Sequence, residues 1–110
     1  MDAQKLPADF AFLPEMYGDE YFPAKQVDKV KAAIQKVVAY LEKGDFTTDK
    51  VQEKLDSMTS KINDLQEEFE EQDSEIETGA RESIADTVER MLAHFKVGID
   101  IEEALREREW

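Results

Sequence analysis

Between Val51 and Phe69 the apolar residues Val51, Leu55, Met58, Ile62, Leu65 and Phe69 recur at four- and three-residue steps, and polar residues fill the gaps. Such a stripe covers one face of an amphipathic helix. Its heptad-like regularity suits antiparallel packing in a small bundle. A single long coiled coil is the competing reading of this stretch, but Phe46, the glycines and the aromatic N-terminal region favour a compact arrangement. The same period predicts two more long helices. Val27, Val30, Ile34, Val37 and Leu41 mark one, followed by Gly44, the residue preferred in a left-handed C-cap. Ile76, Ala80, Ile84, Val88, Met91, Leu92 and Phe95 mark the other, with Gly98 after it.

Capping residues set the expected boundaries. The long helices span about 24–43, 48–72 and 75–97, and Thr47 or Thr48 is the natural N-cap of the second. Ser74 followed three residues later by Glu77 has capping-box spacing, which predicts Ser74 as the N-cap of the third. Asp100 and Glu103 repeat that spacing and predict a short helix over about 101–107. Residues 1–9 read as a frayed, disordered tail. Phe10 to Pro23 crowds Phe10, Phe12, Leu13, Met16, Tyr17, Tyr21 and Phe22 between Pro14, Gly18 and Pro23. That stretch predicts an aromatic arm with one turn of helix at Pro14–Tyr17, its rings closing one end or side of the core. Short connections make successive helices antiparallel. The expected fold is therefore all-α: one domain over 1–110, an up-down-up three-helix bundle with an N-terminal aromatic arm and a short C-terminal helix.

Charge narrows the partners. The chain carries 14 Lys and Arg against 27 Asp and Glu, a net charge of −13. A surface this acidic is repelled by nucleic acid and by anionic membrane, and no apolar run is long enough to span a bilayer. No basic region followed by an apolar run suggests a signal peptide. There are no cysteines, which removes disulfides and thiolate metal sites and suits a reducing cytoplasm. The charge is also uneven. From Ile62 to Ala80 there is no Lys or Arg, while Glu67, Glu68, Glu70 and Glu71 form an acidic block with Asp64, Asp73, Glu75 and Glu77 around it. Lys25 to Lys54 is slightly basic, and the two regions could face each other.

Few residues form a recognisable chemical set. A di-iron bundle needs Glu-x-x-His on two helices; the one histidine, His94, has Met91 three residues before it. Carboxylates alone would suit Mg²⁺ or Ca²⁺, but no calcium-loop spacing is present. There is no nucleophile elbow and no glycine-rich phosphate loop, so no catalytic residue, metal or cofactor is assigned. Glu77 and Arg81 are a pair in the favourable order for an ion bridge. Helical geometry turns Glu77 toward the core and puts Arg81 at the edge of the stripe. They are either a structural cap and bridge, or an anion-recognition site. Tyr17, Asp19 and Tyr21 in the arm and Arg108 and Trp110 at the other end combine polar groups with aromatic surface. Trp110 is read either as a structural plug that covers the core or, with Tyr17, Tyr21 and Arg108, as part of a pocket rim.

Three strings taken together resemble a known family. They are Met16-Tyr17-x-Asp19-x-Tyr21-Phe22-Pro23 with Val27-Asp28-Lys29, the Ser74-Glu75-Ile76-Glu77-Thr78-x-Ala80-Arg81-Glu82-x-Ile84-Ala85 block, and Ile101-Glu102-Glu103 with Arg108-x-Trp110. The family is one of small bacterial proteins known as domain of unknown function 5713, and the resemblance runs from about Phe12 to Trp110. It implies a bacterial, cytoplasmic, single-domain protein and brings no activity, cofactor or substrate. It puts Tyr17, Asp19, Tyr21, Glu77, Arg81, Glu82, Arg108 and Trp110 forward as site candidates. Gly79 departs from the pattern, where a branched apolar residue is expected.

These readings predict a non-enzymatic acidic module that binds a basic protein through Glu67, Glu68, Glu70 and Glu71, as immunity or antitoxin-like proteins do. The alternative is a small-molecule or divalent-cation site, binding or catalytic, around Glu77 and Arg81. A third role, pairing between chains through the second long helix, leaves monomer and homodimer both open.

Overall fold

A computed structural model describes residues 5–110 and shows only helices, turns and loops among them. The helices are α1 (Pro14–Tyr17), α2 (Ala24–Leu41), α3 (Thr48–Glu71), α4 (Thr78–His94) and α5 (Ile101–Ala104). The fold is all-α. The apolar stripes of α2, α3 and α4 are buried with few exceptions, and Phe69, Leu55, Ile62, Leu65, Ile34 and Ile84 are sealed from solvent.

Caps explain the boundaries. The Thr47 side chain accepts from the Lys50 N–H at the start of α3. Asp100 does the same for the Glu102 N–H at the start of α5. α3 ends in a Schellman motif: Asp73 is left-handed (φ 59°), the Ser74 N–H bonds the Phe69 carbonyl and the Asp73 N–H bonds the Glu70 carbonyl. That motif commits Ser74 to the end of α3, so it cannot cap α4, and the expected start near residue 75 is corrected. Glu77 is the N-cap instead, accepting from the Gly79 N–H at 3.3 Å. The Ser74 hydroxyl is buried without a partner. The other end of α4 repeats the device, with left-handed Lys96 (φ 57°) and a Val97 N–H to Leu92 carbonyl bond. The predicted terminator Gly98 lies two residues beyond this turn, because half-buried Val97 closes the motif against the core.

Cross-contacts give the topology. The Lys29–Glu68 ion pair joins the start of α2 to the end of α3, and Lys54 over the Tyr40 ring joins the opposite ends. α2 and α3 are therefore antiparallel, and they pack closely along their length. The close backbone neighbours of α4 are instead α1 and α5. The arm explains the first of these. It touches α4 through Lys5 to His94, Ala11 to Arg90, Leu13 to Thr87 and Glu15 to Ser83. It touches α2 through Leu6 to Glu42, Phe12 to Lys31 and Tyr17 to Asp28. Both series run antiparallel to the arm, so α2 and α4 are parallel, and the arm fills the groove between them. Of the expected frayed tail, residues 1–4 lie outside the described residues. Residues 5–9 are tied down by the Lys5, Leu6 and Pro7 backbone contacts.

The segment 103–110 plays the same part between α3 and α4. Gln52 donates to the Glu103 carbonyl, Arg106 makes two bonds to Asp56, and the Asn63 carboxamide bonds both the Glu107 carbonyl and the Glu109 N–H. The Arg106 guanidinium holds the Asp56 carboxyl below the usual carboxylate range against the opposing effect of burial. Trp110 packs half-buried against the core, its indole nitrogen buried and unpartnered.

Candidate functional site

Of the strings that carry the family resemblance, Ile101–Glu103 lies near the start of α3, where Gln52 donates to the Glu103 carbonyl. The arm string with Val27-Asp28-Lys29, the Ser74–Ala85 block and Arg108-x-Trp110 gather at the opposite end of the bundle. This end is built from the start of α2, the end of α3, the 72–77 connection, the start of α4 and the 106–110 segment. They are held there in different grooves. On the arm side, Tyr17 donates to Asp28 at 2.5 Å, and Asp19 accepts from the Tyr21 N–H at 2.9 Å in a local turn. Burial, then the Asp28 carboxylate, pushes the Tyr17 hydroxyl up to about 12. Among the described residues Tyr17 and Tyr21 are the large apolar side chains left most exposed, at 42% and 43%.

Glu77 and Arg81 do not form the inward pair that helical geometry predicts. Both are exposed. Glu77 is non-helical (φ −97°, ψ −170°), so the 100° step that turned it toward the core does not apply. Arg81 donates to Thr78 Oγ1 at 2.9 Å and makes no ion pair among the described residues. The buried positions here are Ala80, Ser83, Ile84 and Thr87. Gly79 is exposed, and a methyl group there would meet Glu77 Oε1 at 3.1 Å.

What the structure does bring together is Arg81, Glu82 and Arg108. With Thr78 and Ala85 they line a shallow cleft of about 250 Å³. Arg108 is held beside the Trp110 ring at 5.9 Å and reaches Glu102 at 3.5 Å. The rim expected from Tyr17, Tyr21, Arg108 and Trp110 is not assembled, because the arm fills one flank of α4 and the 103–110 segment the other.

The acidic block is split by the helical turn. Glu68 faces α2 and pairs with Lys29, which holds its carboxyl below the ordinary range. Glu71 is exposed near the end of α3. Glu67 and Glu70 point away from α2 and line a depression of about 570 Å³ with Asn63, Asp64, Gln66 and Glu109. Periodicity could not have supplied Glu109, which arrives through the Asn63 clamp. None of Asp64, Glu67, Glu70 and Glu109 makes an ion pair among the described residues. Among those residues no His, Asp and Glu side chains are grouped as a metal site, and no helix is long and apolar enough to cross a membrane.

The family of unknown function DUF5713 matches residues 6–110. The chain belongs to that family. The match covers all three strings, the arm that docks on α4 and the segment that carries Glu109. Neither the curated proteins nor the solved structures gave a match.

Proposed function

We propose that this DUF5713 member is a non-enzymatic binding module, acting in a bacterial cytoplasm, that docks a basic segment of another protein on the outer face of α3. The observation that carries the reading is the depression lined by Asp64, Glu67, Glu70 and Glu109, where carboxylates converge with no ion pair among the described residues. These groups repel one another, and Glu70 lies in the last turn of α3, where the helix dipole also disfavours negative charge. A Lys- or Arg-bearing partner relieves both effects. A net charge of −13 speeds its approach and makes the association salt-sensitive. A role in neutralising a basic partner, of the immunity or antitoxin kind, fits this surface.

The test is affinity capture from the native host at low and high salt. A partner retained by the wild type should be lost at high salt and lost with Asp64→Asn/Glu67→Gln/Glu70→Gln. The Glu71→Gln variant should retain it. Capture that survives the triple change places the contact elsewhere.

One observation favours a second reading. Arg81 and Arg108 flank an open cleft beside the Thr78 hydroxyl, an arrangement suited to a small carboxylate or phosphate. A thermal-shift screen with metabolite anions addresses it, since a ligand at 100 times its Kd stabilises by about 2.7 kcal/mol. No shift that Arg81→Ala abolishes means no such site.

A further inference from the structure

Three outer grooves separate the three long helices. The arm fills the one between α2 and α4, and the 103–110 segment fills the one between α3 and α4. Among the described residues the groove between α2 and α3 is open. Its floor is Ala33, Val37 and Met58, its rim is Lys36, Lys54 and Lys61, and its volume is about 250 Å³. A smaller depression continues it past Lys29. Lysines thus converge on one apolar strip of a chain whose net charge is −13. Lys29 is held by Glu68, and Lys54 lies 5.2 Å from the Tyr40 ring centre. Lys36 and Lys61 have no carboxylate within ion-pair distance among the described residues.

We propose that this groove docks an acidic segment of a partner protein, with apolar side chains on the floor and carboxylates against Lys36, Lys54 and Lys61. The arm shows how a segment carrying apolar rings is held beneath cations in a groove of this bundle. The arm lays Phe10 and Phe12 down under Arg90 and Lys31, with the cations 4.8 and 5.4 Å from the ring centres. In the open groove Lys36, Lys54 and Lys61 present the same cationic rim beside an apolar floor. The overall negative charge does not forbid an acidic ligand, because charges beyond a Debye length of about 8 Å at physiological salt are largely screened. The lysine rim is then the nearest field. The sign of this surface is opposite to that of the α3 outer face, so the two surfaces select different partners.

The probe is a fluorescein-labelled amphipathic peptide of about 15 residues, with Leu on one face and Glu on the other, followed by anisotropy at 150 mM salt against the full chain. Wild type should bind it saturably. Lys36→Glu/Lys61→Glu should weaken binding by about 10-fold or more, as should Ser57→Trp, which fills the groove without changing charge. Lys43→Glu/Lys96→Glu makes the same charge change elsewhere and should leave binding within about 2-fold. Lys36→Gln/Lys61→Gln replaces the reversal variant if circular dichroism shows that variant unfolded. The proposal is overturned by equal binding across these variants, by no saturable binding up to about 1 mM, or by equal affinity for the peptide with Lys in place of Glu. Sedimentation velocity adds one outcome: an oligomer that disappears in the groove variants assigns the groove to a second copy and overturns the partner assignment.

Discussion

Thr87→Val tests whether the arm is part of the fold or lies loosely on it. The Leu13 N–H donates to Thr87 Oγ1 at 3.1 Å, and both residues are fully buried. Leu13 is also left-handed (φ 52°), a conformation that costs a non-glycine residue about 1–2 kcal/mol. The native contacts around it must offset that strain. Valine keeps the shape of threonine and removes the acceptor, leaving a buried donor unpaired at a cost of about 1–3 kcal/mol. For a chain of this size that lowers the thermal midpoint by about 4–13 °C. Thr87→Ser keeps the acceptor and loses one methyl group, about 1 kcal/mol. Midpoints alone separate the two variants poorly, so amide exchange of Leu13 is the deciding assay. Exchange at Leu13 should accelerate in Thr87→Val beyond what the global loss of stability explains, and should follow the global loss in Thr87→Ser. If Thr87→Val melts with the wild type and Leu13 stays protected, the arm is not anchored by this bond.

Three other outcomes follow from unpaired or ion-paired groups. Ser74→Ala should leave stability unchanged or raise it by up to about 1 kcal/mol in urea unfolding, because the hydroxyl it removes is buried without a partner; a helix-capping serine would cost about 0.5–2 kcal/mol instead. Trp110→Phe should likewise be neutral or stabilising, since it deletes an unpartnered buried N–H, whereas Trp110→Ala should cost about 3 kcal/mol, both read by far-ultraviolet circular dichroism. Arg106 lowers the Asp56 pKa in the folded chain below its ordinary 3.8. The stabilisation from that pair is therefore present above about pH 4 and is lost as pH falls through the lower, folded value. Asp56→Asn should flatten this part of the acid limb of stability, with Trp110 fluorescence reporting release of the 103–110 segment; an unchanged acid limb would contradict the clamp.

The stripes of α2, α3 and α4 were legible because each buried face depends on a period that local sequence carries. Thr47, Asp100 and Pro14 were legible for a similar reason, since a cap or a first-turn proline acts within one turn. The start of α4 was not, because two local devices competed for Ser74. The Schellman turn of α3 took its backbone, and the capping-box spacing to Glu77 could not show that loss. The same error placed Glu77 inward, since an angular reading presumes helix from residue 75. The arm's aromatics were visible as a cluster, but the groove they fill depends on partners such as Thr87 and Arg90, far along the chain. For the candidate surfaces, the sequence showed the acidic block as a unit. Only the tertiary arrangement separates Glu68, paired to Lys29, from Glu67 and Glu70, which meet Glu109.

The wedged grooves also constrain the order in which the fold can open and close. α2 and α3 meet across a short connection, so their pairing closes a small loop at modest entropic cost. α4 gains its neighbours through the arm, by contacts such as Leu13 with Thr87 and Lys5 with His94, 74 and 89 residues apart. Its attachment is thus a long-range closure, the kind that slows folding. The contact pattern predicts that the α2–α3 hairpin and α4 with its two flanking segments open as separate units, which native-state amide exchange checks. Loss of either segment exposes a flank of α4 and makes detachment of that helix the lowest opening in the molecule. The open lysine groove belongs wholly to the first unit, so it persists through that opening.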